Sequence, residues 1–315
     1  MTANPWPKVA VLGAGAVGCY FGGMLARAGA PVTLIGRPAH VAAFQLEGLL
    51  LDTLQFKARV PVDASTDASA VAGAALVLVC VKSGDTDAAA KSVAPHLAPG
   101  ATIVSLQNGV DNAARMRPLV DAEVLAAVVY VGCQMAGPGH VRHTGRGDLV
   151  IGGRAGADEG ARRAASVAAV FERAGVPCKV SSNVDGELWT KLIINCAYNA
   201  ACALSRLQYG PMVASAWARE LMAQVVDEAV TVARAEGVAL DTDGLLERVL
   251  SIGAAMPAQL SSTAQDIGLG KATEIDALNG YVARRGAELG VPTPVNRTLH
   301  ALVKLRELAA VKEAS

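Results

Sequence analysis

A glycine-rich turn between two short apolar segments near the amino terminus constrains the fold most strongly. Residues 9–12 read V-A-V-L, residues 13–18 read G-A-G-A-V-G, a stretch with helical apolar spacing runs to Gly29, and V-T-L-I follows at 32–35. Strand, turn, helix and strand in this order form the βαβ unit of a parallel sheet, whose crossover is almost always right-handed. The sequence therefore predicts an α/β domain with a doubly wound sheet.

The pattern changes along the chain. Further apolar strands are expected at residues 75–81, 102–106, 124–131 and 176–180, with helices at 86–96 and 158–173 and two small hairpins, one over 49–60 and one joining 140–143 to 149–151. Uniformly apolar strands are typical of a sheet covered on both faces. After Asn183 strand patterns cease, and helices are predicted at 184–207, 213–236, 241–256, 273–289 and 296–311. We therefore predict a Rossmann-type domain in residues 1–182 and an all-α domain in residues 183–315.

Composition excludes several functions. A chain of 315 residues can bury two hydrophobic cores without disulfides or metal ions. Its 28 Lys and Arg balance 28 Asp and Glu, so no net charge attracts nucleic acid or an anionic membrane. The six cysteines include no C-x-x-C pair and no His at metal-ligand spacing, so we expect buried, reduced thiols and no metal. Residues 1–8 do not resemble a secretion signal, and we expect a cytoplasmic protein.

The turn at residues 13–18 has the G-x-G-x-x-G pattern of a dinucleotide site. It follows a strand and opens a helix, which is the arrangement that brings a pyrophosphate against helix N-terminal N–H groups. The alternative is a tight turn with close helix packing and no ligand. The predicted cofactor-binding residues of the turn are Gly13, Ala14, Gly15, Ala16, Val17 and Gly18.

Three later strand ends also carry polar residues. Arg37 follows the second strand, where an NAD-binding protein places an acidic residue for the ribose 2′-OH, and an arginine there suits a 2′-phosphate. Lys82 and Asn108 follow the next two strands, at the sheet edge where ligands bind. A solvated arginine, a surface lysine and a turn-forming Asn-Gly pair are the alternatives without a ligand.

The first helix of the predicted α domain carries a polar stripe. Lys191, Asn195 and Asn199 are each four residues apart, a step that turns a helix by only about 40°. Their neighbours are apolar, so the stripe faces a partner or a cleft, or forms a hydrogen-bond network between helices. Further along, residues 261–263 and 273–276 are polar, and composition alone favours a helix cap and an exposed acidic turn there.

Together these segments resemble the ketopantoate reductase family, and the resemblance covers nearly the whole chain. The matching segments are Gly13–Gly18, Cys80-Val-Lys82, Leu106-Gln-Asn-Gly109, Gly145-Arg-Gly-Asp-Leu-Val-Ile-Gly152, Trp189-Thr-Lys191-Leu-Ile-Ile-Asn195-Cys-Ala-Tyr-Asn199, Ser261-Ser262 and Lys271-Ala-Thr-Glu274-Ile-Asp-Ala-Leu-Asn-Gly280. The Lys and Asn stripe followed by Thr-Glu-Ile-Asp is far more specific than the glycine turn.

The resemblance implies roles for these residues. Lys191 would be the general acid, Glu274 an acidic group where cofactor and substrate meet, and Asn195, Asn199 and Ser262 would bind the substrate. The implied contacts of NADP(H), beyond the glycine turn, are Arg37, Lys82, Asn108 and Glu274. One departure is Tyr209, which stands where the family pattern has a further substrate-binding asparagine.

The implied reaction is the NADPH-dependent reduction of 2-dehydropantoate to (R)-pantoate, on the route to pantothenate and coenzyme A. The expected partner is a small 2-oxo acid, and we expect binding to neither nucleic acid nor membrane. A homodimer is one possible assembly. Two alternatives stay open: a reductase or dehydrogenase of another 2-oxo or 2-hydroxy acid, and a dinucleotide sensor without turnover.

Overall fold

The computed structural model describes residues 6–153 and 158–313. The described chain falls into two compact units. The first contains the residues up to Gln107 together with Asp111–Val184, and the second contains Asn108–Val110 together with the residues from Asp185 onward. The three-residue segment 108–110 therefore belongs to a different unit from the residues on either side of it.

The strands of the described residues all lie in the first unit and form one sheet. In chain order they are β1 Val9–Leu12, β2 Val32–Ile35, β3 Leu49–Asp52, β4 Lys57–Val60, β5 Asp63–Ser65, β6 Leu76–Val79, β7 Thr102–Ser105, β8 Glu123–Gly137, β9 His140–Gly152 and β10 Cys178–Val180. Their order across the sheet is β4-β3-β9-β8-β7-β6-β1-β2-β5, and β10 pairs with β9.

The middle of this sheet has the strand order of a doubly wound dinucleotide-binding fold. Strands β5, β2, β1, β6, β7 and β8 are neighbours and parallel. They repeat the order 3-2-1-4-5-6, in which ligands bind where the winding direction changes, here between β1 and β6. Every residue of β1, β2, β6 and β7 is buried. The predicted Rossmann-type sheet, covered on both faces, is confirmed.

One of the two predicted hairpins is present in the structure and the other is not. Strands β3 and β4 pair antiparallel as expected, and β3 extends the sheet by pairing with β9. The second predicted hairpin is wrong, because residues 140–143 and 149–151 belong to the single strand β9, which pairs antiparallel with β8. The Gly-Arg-Gly sequence between them resembles a turn, but its positive φ values at Arg146 (52°) and Gly147 (145°) accommodate a register shift.

The helices cover the sheet and build the second unit. In chain order they are α1 Ala16–Arg27, α2 Pro38–Glu47, α3 Thr86–Val93, α4 Asn112–Met116, α5 Asp158–Arg173, α6 Val184–Ser205, α7 Tyr209–Ala214, α8 Ala216–Ala235, α9 Leu245–Ala255, α10 Ser262–Gly268, α11 Asn279–Leu289 and α12 Pro294–Glu313. The predicted helix at 213–236 is two helices, since the Ser215 hydroxyl caps α8 by accepting from the N–H of Ala218 at 3.4 Å. The helix predicted from 273 begins at Asn279, and α10 was not predicted.

The second unit packs around α6. Its apolar side chains Trp189, Ile193 and Tyr198 are buried against α8, α9 and α11 residues. The Trp189 and Tyr281 rings meet edge to face with centroids 5.9 Å apart. A helix that is buried on most sides usually carries few polar residues. The Lys and Asn stripe on α6 therefore indicates a polar contact or a ligand site.

All six cysteines are free thiols, as predicted. Cys19, Cys178, Cys196 and Cys202 are buried, and Cys80 and Cys133 are half-buried. Burial raises the pKa of Cys133 and Cys178 to about 12 and raises the pKa of Cys196 further. These thiols therefore remain protonated in the folded protein at pH values where the unfolded chain ionises them.

This difference predicts a loss of stability at alkaline pH. Between pH 8 and pH 10 the unfolded Cys196 thiol, with its ordinary pKa of 9.0, releases a proton that the folded state keeps. The free energy of unfolding should then fall by about 1.4 kcal/mol for this one thiol. Urea unfolding of the wild type and of Cys196→Ala at both pH values measures the effect, and the alanine variant should lose less stability by that amount. An equal loss in both proteins would contradict the assignment.

Candidate active site

The three glycines of the G-x-G-x-x-G turn are required for different reasons. Gly13 has φ +104°, and a Cβ there would lie 2.7 Å from the Cys80 carbonyl carbon and the Val81 nitrogen. A Cβ on Gly18 would overlap the Gly13 carbonyl and lie 2.9 Å from Val11 Cγ1. Gly13 thus permits the turn to meet the segment after β6, and Gly18 permits α1 to pack closely on β1.

Gly15 is different, because the protein itself does not need a glycine there. Its φ of −85° suits any residue, and a Cβ would meet no atom of the described residues within 4 Å. Gly15 is the exposed N-cap of α1, it offers no side-chain cap, and the first turn of α1 has no acidic residue. The space beside Gly15 is therefore open at the start of α1, where leading helix N–H groups can bind a phosphate.

The end of β2 lies against this turn. The N–H groups of Gly13 and Ala14 both donate to the Ile35 carbonyl at 2.9 Å. A Cβ on Gly36 would lie 2.6 Å from the Ala14 Cβ. Arg37, the next residue, is exposed at the N-cap of α2 and makes no side-chain capping bond there. The residue before Arg37 therefore contacts the glycine turn. The contact of Arg37 with the cofactor stays a prediction.

Lys82 follows β6, the neighbour of β1 across the point where the winding reverses. It is exposed and precedes a short 3-10 turn over Ser83–Asp85. Because the backbone of Cys80 and Val81 meets Gly13, Lys82 lies directly beyond the segment that contacts the turn. The structure thereby brings together in the first unit the glycine turn and the segments that carry Arg37 and Lys82.

A buried hydrogen-bond chain that the sequence did not reveal joins the ends of β6 and β7. The Ser105 hydroxyl donates to Gln107 Oε1 at 2.9 Å, and Gln107 Nε2 donates to Thr86 Oγ1 at 2.8 Å and to the Val81 carbonyl at 3.0 Å. Thr86 Oγ1 donates to Asn112 Oδ1 at 2.8 Å, and Asn112 Nδ2 donates to Ser83 Oγ at 3.3 Å.

The five residues of this hydrogen-bond network are each at most 5% exposed. A fully satisfied buried network is rigid, so it fixes the backbone next to Lys82 and next to Asn108. In the sequence these residues look like ordinary helix caps and turn residues. Only their shared burial in the folded protein identifies them as one network.

Asn108 lies with residues of the second unit, although the sequence assigned it to the cofactor contacts after the sheet strands. Lys191 Nζ donates to Asn108 Oδ1 at 3.1 Å, and Asn108 Nδ2 donates to Glu274 Oε2 at 2.9 Å. The amide therefore accepts from the ammonium group and donates to the carboxylate, which is the favourable orientation for both charges. Lys191 and Glu274 are 83 residues apart in the sequence, and Asn108 lies on a third segment. Both side chains nevertheless bond to the amide of Asn108.

The rest of the α6 stripe runs from half-buried to buried. Lys191 and Asn195 are half-buried and Asn199 is 3% exposed. The carbonyl of Asn199 accepts from the Ser261 hydroxyl at 3.3 Å, and that hydroxyl also caps α10 by accepting from the N–H of Ala264 at 3.1 Å. Ser261 thus ties the start of α10 to the end of the stripe, and its neighbour Ser262 is exposed at the first position of the helix.

Tyr209 begins α7 beside the far end of α6. Its ring packs on the ring of Tyr198, with centroids 4.2 Å apart. The Tyr198 hydroxyl donates to the Val249 carbonyl at 2.7 Å and accepts from the N–H of Gly253 at 3.0 Å. Burial, with the neighbouring Cys202 and Tyr198, raises the pKa of Tyr209 well above its usual value. Tyr209, the predicted departure from the family pattern, is therefore part of an aromatic pair.

Other features of the described residues lie away from these groups. A cavity of about 420 Å³ opens at the amino ends of β6 and β7, beside Arg162 and Arg163 of α5, at the opposite sheet edge from the glycine turn. Within residues 6–153 and 158–313 there is no cluster of three His, Cys, Asp or Glu side chains suited to a metal ion. In the same residues no helix has both the length and the apolar character needed to cross a bilayer.

A Rossmann-type sheet with its glycine turn, followed by a helical unit with a lysine, an asparagine and a glutamate in contact, defines a dinucleotide-dependent oxidoreductase. The family described as ketopantoate reductase PanE/ApbA matches residues 9–156, and its C-terminal counterpart matches residues 183–307. The chain therefore belongs to the ketopantoate reductase family, whose reaction is the reduction of ketopantoate. The resemblance inferred from the motifs, and the predicted enzyme class, are confirmed.

Individual relatives agree with this assignment. The chain is 36% identical over 303 residues to the 2-dehydropantoate 2-reductase of Halobacterium salinarum, covering 95% of this chain and 99% of the relative. It is 54% identical to a PanE/ApbA family ketopantoate reductase from Ralstonia eutropha JMP134, whose crystal structure matches with a TM-score of 0.90 over 96% of this chain and 99% of that one. The crystal structure of 2-dehydropantoate 2-reductase from Geobacter metallireducens GS-15 matches with 28% identity and a TM-score of 0.88, over 95% and 99% of the two chains.

The different surroundings of the glycines predict different effects of substitution. Gly15→Val should fold with a melting temperature close to that of the wild type, because a Cβ there meets no atom of the described residues within 4 Å, and should lose dinucleotide binding. Gly18→Val should lose stability, because α1 can no longer pack on β1. Thermal unfolding and calorimetric titration with NADPH separate the two effects. A folded Gly15→Val variant with unchanged affinity would remove the turn from the binding site.

Proposed function

We propose that this chain reduces the C2 ketone of 2-dehydropantoate to (R)-pantoate with NADPH. The observation that carries the proposal is the Asn108 amide, which accepts from the Lys191 ammonium group and donates to the Glu274 carboxylate. A positioned proton donor and an acidic group that bond to the same amide suit the reduction of a polar carbonyl. Membership of the ketopantoate reductase family supports the same substrate. Cofactor binding is assigned to the first unit and substrate binding to the second.

The residues of the first unit fit a dinucleotide phosphate. The open space over Gly15 admits the pyrophosphate at the start of α1, where a Cβ would otherwise stand. Arg37, exposed beside the turn, supplies the positive charge that a 2′-phosphate requires, and no acidic residue occupies that position. Lys82 is a second cation, at the end of the neighbouring strand. When bound, NADPH supplies the hydride, and the protein supplies binding and charge.

Lys191 is the proposed general acid. Reduction places developing negative charge on the ketone oxygen, and an ammonium group can stabilise that charge and transfer a proton to the oxygen. The Asn108 carbonyl oxygen holds the Lys191 ammonium group at 3.1 Å and so restricts its position. Glu274, through the other side of the amide, keeps the amide from rotating. The two contacts therefore fix the position of the Lys191 ammonium group before the substrate binds.

Asn195, Asn199 and Ser262 are the proposed substrate ligands. Asn195 lies on the same face of α6 as Lys191, one helical turn away, and can orient the ketone or the carboxylate of a 2-oxo acid. Ser262 is exposed and available for a ligand, and Ser261 holds its helix in place. Asn199 is buried, so its proposed role requires a polar atom of the substrate to reach the interior end of the stripe.

A substrate panel tests the proposed reaction. NADPH oxidation should be faster with 2-dehydropantoate than with other branched 2-oxo acids at equal concentration. Tyr209 gives a specific reason to include the others, because an aromatic ring replaces the family's asparagine. A strong preference for a different 2-oxo acid would favour the alternative reductase. NADPH binding without turnover of any acid would favour a sensor. A cytoplasmic location and a homodimer stay predictions.

Arg37 should determine the choice between the two nicotinamide cofactors. We expect the wild type to prefer NADPH over NADH, and Arg37→Ala to weaken NADPH binding much more than NADH binding, since only NADPH carries the 2′-phosphate. Steady-state kinetics with both cofactors measures the ratio. Equal efficiency of the wild type with both would contradict the proposal.

Lys191→Ala should lower kcat by about 10² to 10⁴, the usual contribution of a general acid, and leave NADPH affinity nearly unchanged. Lys179→Ala is a matched control, because Lys179 is an exposed lysine on β10 of the first unit. Turnover and calorimetric titration of both variants separate chemistry from binding. A folded Lys191→Ala protein within a few-fold of wild-type kcat would make Lys191 a structural residue.

A further inference from the structure

We propose that Glu307, on the last helix, is a positioning residue that sets the location of Glu274. This inference rests on the proposed function for its kinetic consequence, and on the contacts within the second unit for its structural basis. Glu307 lies 33 residues after Glu274 in the sequence and is not among the residues that the family resemblance singled out. Glu274 lies in the short segment that precedes α11, and Glu307 lies on α12.

Glu307 binds the residue directly before Glu274. Its Oε1 accepts from the backbone N–H of Thr273 at 2.8 Å and from the Thr273 hydroxyl at 2.6 Å. The Thr273 hydroxyl oxygen in turn accepts from the N–H of Ile275 at 3.2 Å. The carboxylate therefore fixes the backbone on both sides of Glu274, whose own side chain bonds to Asn108 at 2.9 Å.

The second carboxylate oxygen of Glu307 is also occupied. Lys304 Nζ lies 2.7 Å from Glu307 Oε2 and 3.0 Å from Asp276 Oδ2, and His300 Nε2 lies 2.6 Å from Asp276 Oδ1. His300, Lys304 and Glu307 occupy positions i, i+4 and i+7 of α12, so they lie on one face of the helix. We call these three residues the α12 clamp. It holds the segment from Thr273 to Asp276 at both ends.

The negative charge of Glu307 strengthens the contacts of the α12 clamp. The Glu307 side chain is only 15% exposed. Its burial alone would raise the pKa, but hydrogen bonds from Lys304 and Thr273 outweigh this and hold the pKa of Glu307 below its usual value. Glu307 therefore stays a carboxylate at neutral pH, and charge strengthens its bonds to Thr273.

This arrangement explains how a half-buried Glu274 can stay aimed at one amide. The segment from Thr273 to Asp276 forms no regular α-helix, so the α-helical hydrogen bonds that would fix a helical residue are missing there. Thr273 and Ile275 are buried while Glu274 is half-buried and Asp276 is exposed. Without Glu307 the Thr273 end of this segment would lose two hydrogen bonds, and Glu274 would occupy a wider range of positions relative to Asn108.

A double-mutant cycle tests the proposal. Glu307→Ala should lower kcat/KM about tenfold, and in a Glu274→Ala background the same change should lower it less than twofold, because Glu307 acts through Glu274. Glu307→Gln keeps an acceptor oxygen for Thr273 and should recover most of the loss. Glu288→Ala is the matched control, since Glu288 is an exposed, ion-paired glutamate on α11, and should be unchanged. Equal losses in both backgrounds would overturn the proposal.

A structural readout keeps this test separate from the proposed reaction. Hydrogen exchange of peptides spanning residues 270–278 should be faster in Glu307→Ala than in the wild type, with peptides of α8 unchanged. If the wild type turns over none of the 2-oxo acids, the proposed function fails, and the exchange result alone decides the clamp. Unchanged exchange would overturn it. If Glu307→Ala does not fold, Thr273→Val, which keeps the N–H and removes the hydroxyl, replaces it in both measurements and should give a smaller loss in the same direction.

Discussion

The close approach of α1 to β1 and to the segment after β6 is the constraint on which the first unit depends. Neither Gly13 nor Gly18 has room for a methyl group, because the backbone of Cys80, the carbonyl of Gly13 and the side chain of Val11 already fill the space. This packing sets the start of α1 at the point where the winding of the sheet reverses. The leading N–H groups of that helix, the end of β2 and the end of β6 all take their positions from it.

The second unit depends on a different kind of constraint, which is the satisfaction of buried and half-buried polar groups. α6 is packed on most sides by apolar residues, yet it carries Lys191, Asn195 and Asn199. Three polar groups at or near this stripe are held by another segment: Lys191 by Asn108, the Asn199 carbonyl by Ser261, and Glu274 by Asn108. Polar groups in such surroundings are costly unless they are paired, so the contacts specify one arrangement of these segments.

Local patterns in the sequence predicted the fold class well. The glycine turn, the uniformly apolar strands and the spacing of the α6 stripe each depend on residues within one or two turns or strands, so their periodicity is visible without the structure. Long-range pairing is not visible in this way. The second predicted hairpin failed because Gly145-Arg-Gly147 reads as a turn, whereas pairing with β8 makes it an irregularity within one strand.

The same limit applies to the site. The sequence showed that Arg37 follows the second strand, but nothing in it indicated that Asn108 contacts Lys191 and Glu274, since the three come from distant segments. The buried network around Gln107 was missed because Ser, Thr and Asn after strands resemble ordinary caps. Glu307 lies in a helix with no unusual pattern, and only its bonds to Thr273 reveal what it does.

The assignment of residues 108–110 to the second unit has a consequence for how this chain could be recombined with its relatives. A chimaera that exchanged everything after residue 184 would transplant Lys191 and Glu274 but leave behind the Asn108 that both of them contact. The transplanted helical unit would then lack the residue that both of these side chains bond to here. A complete exchange therefore also transfers residues 108–110, because the residues of this candidate site are discontinuous in the sequence.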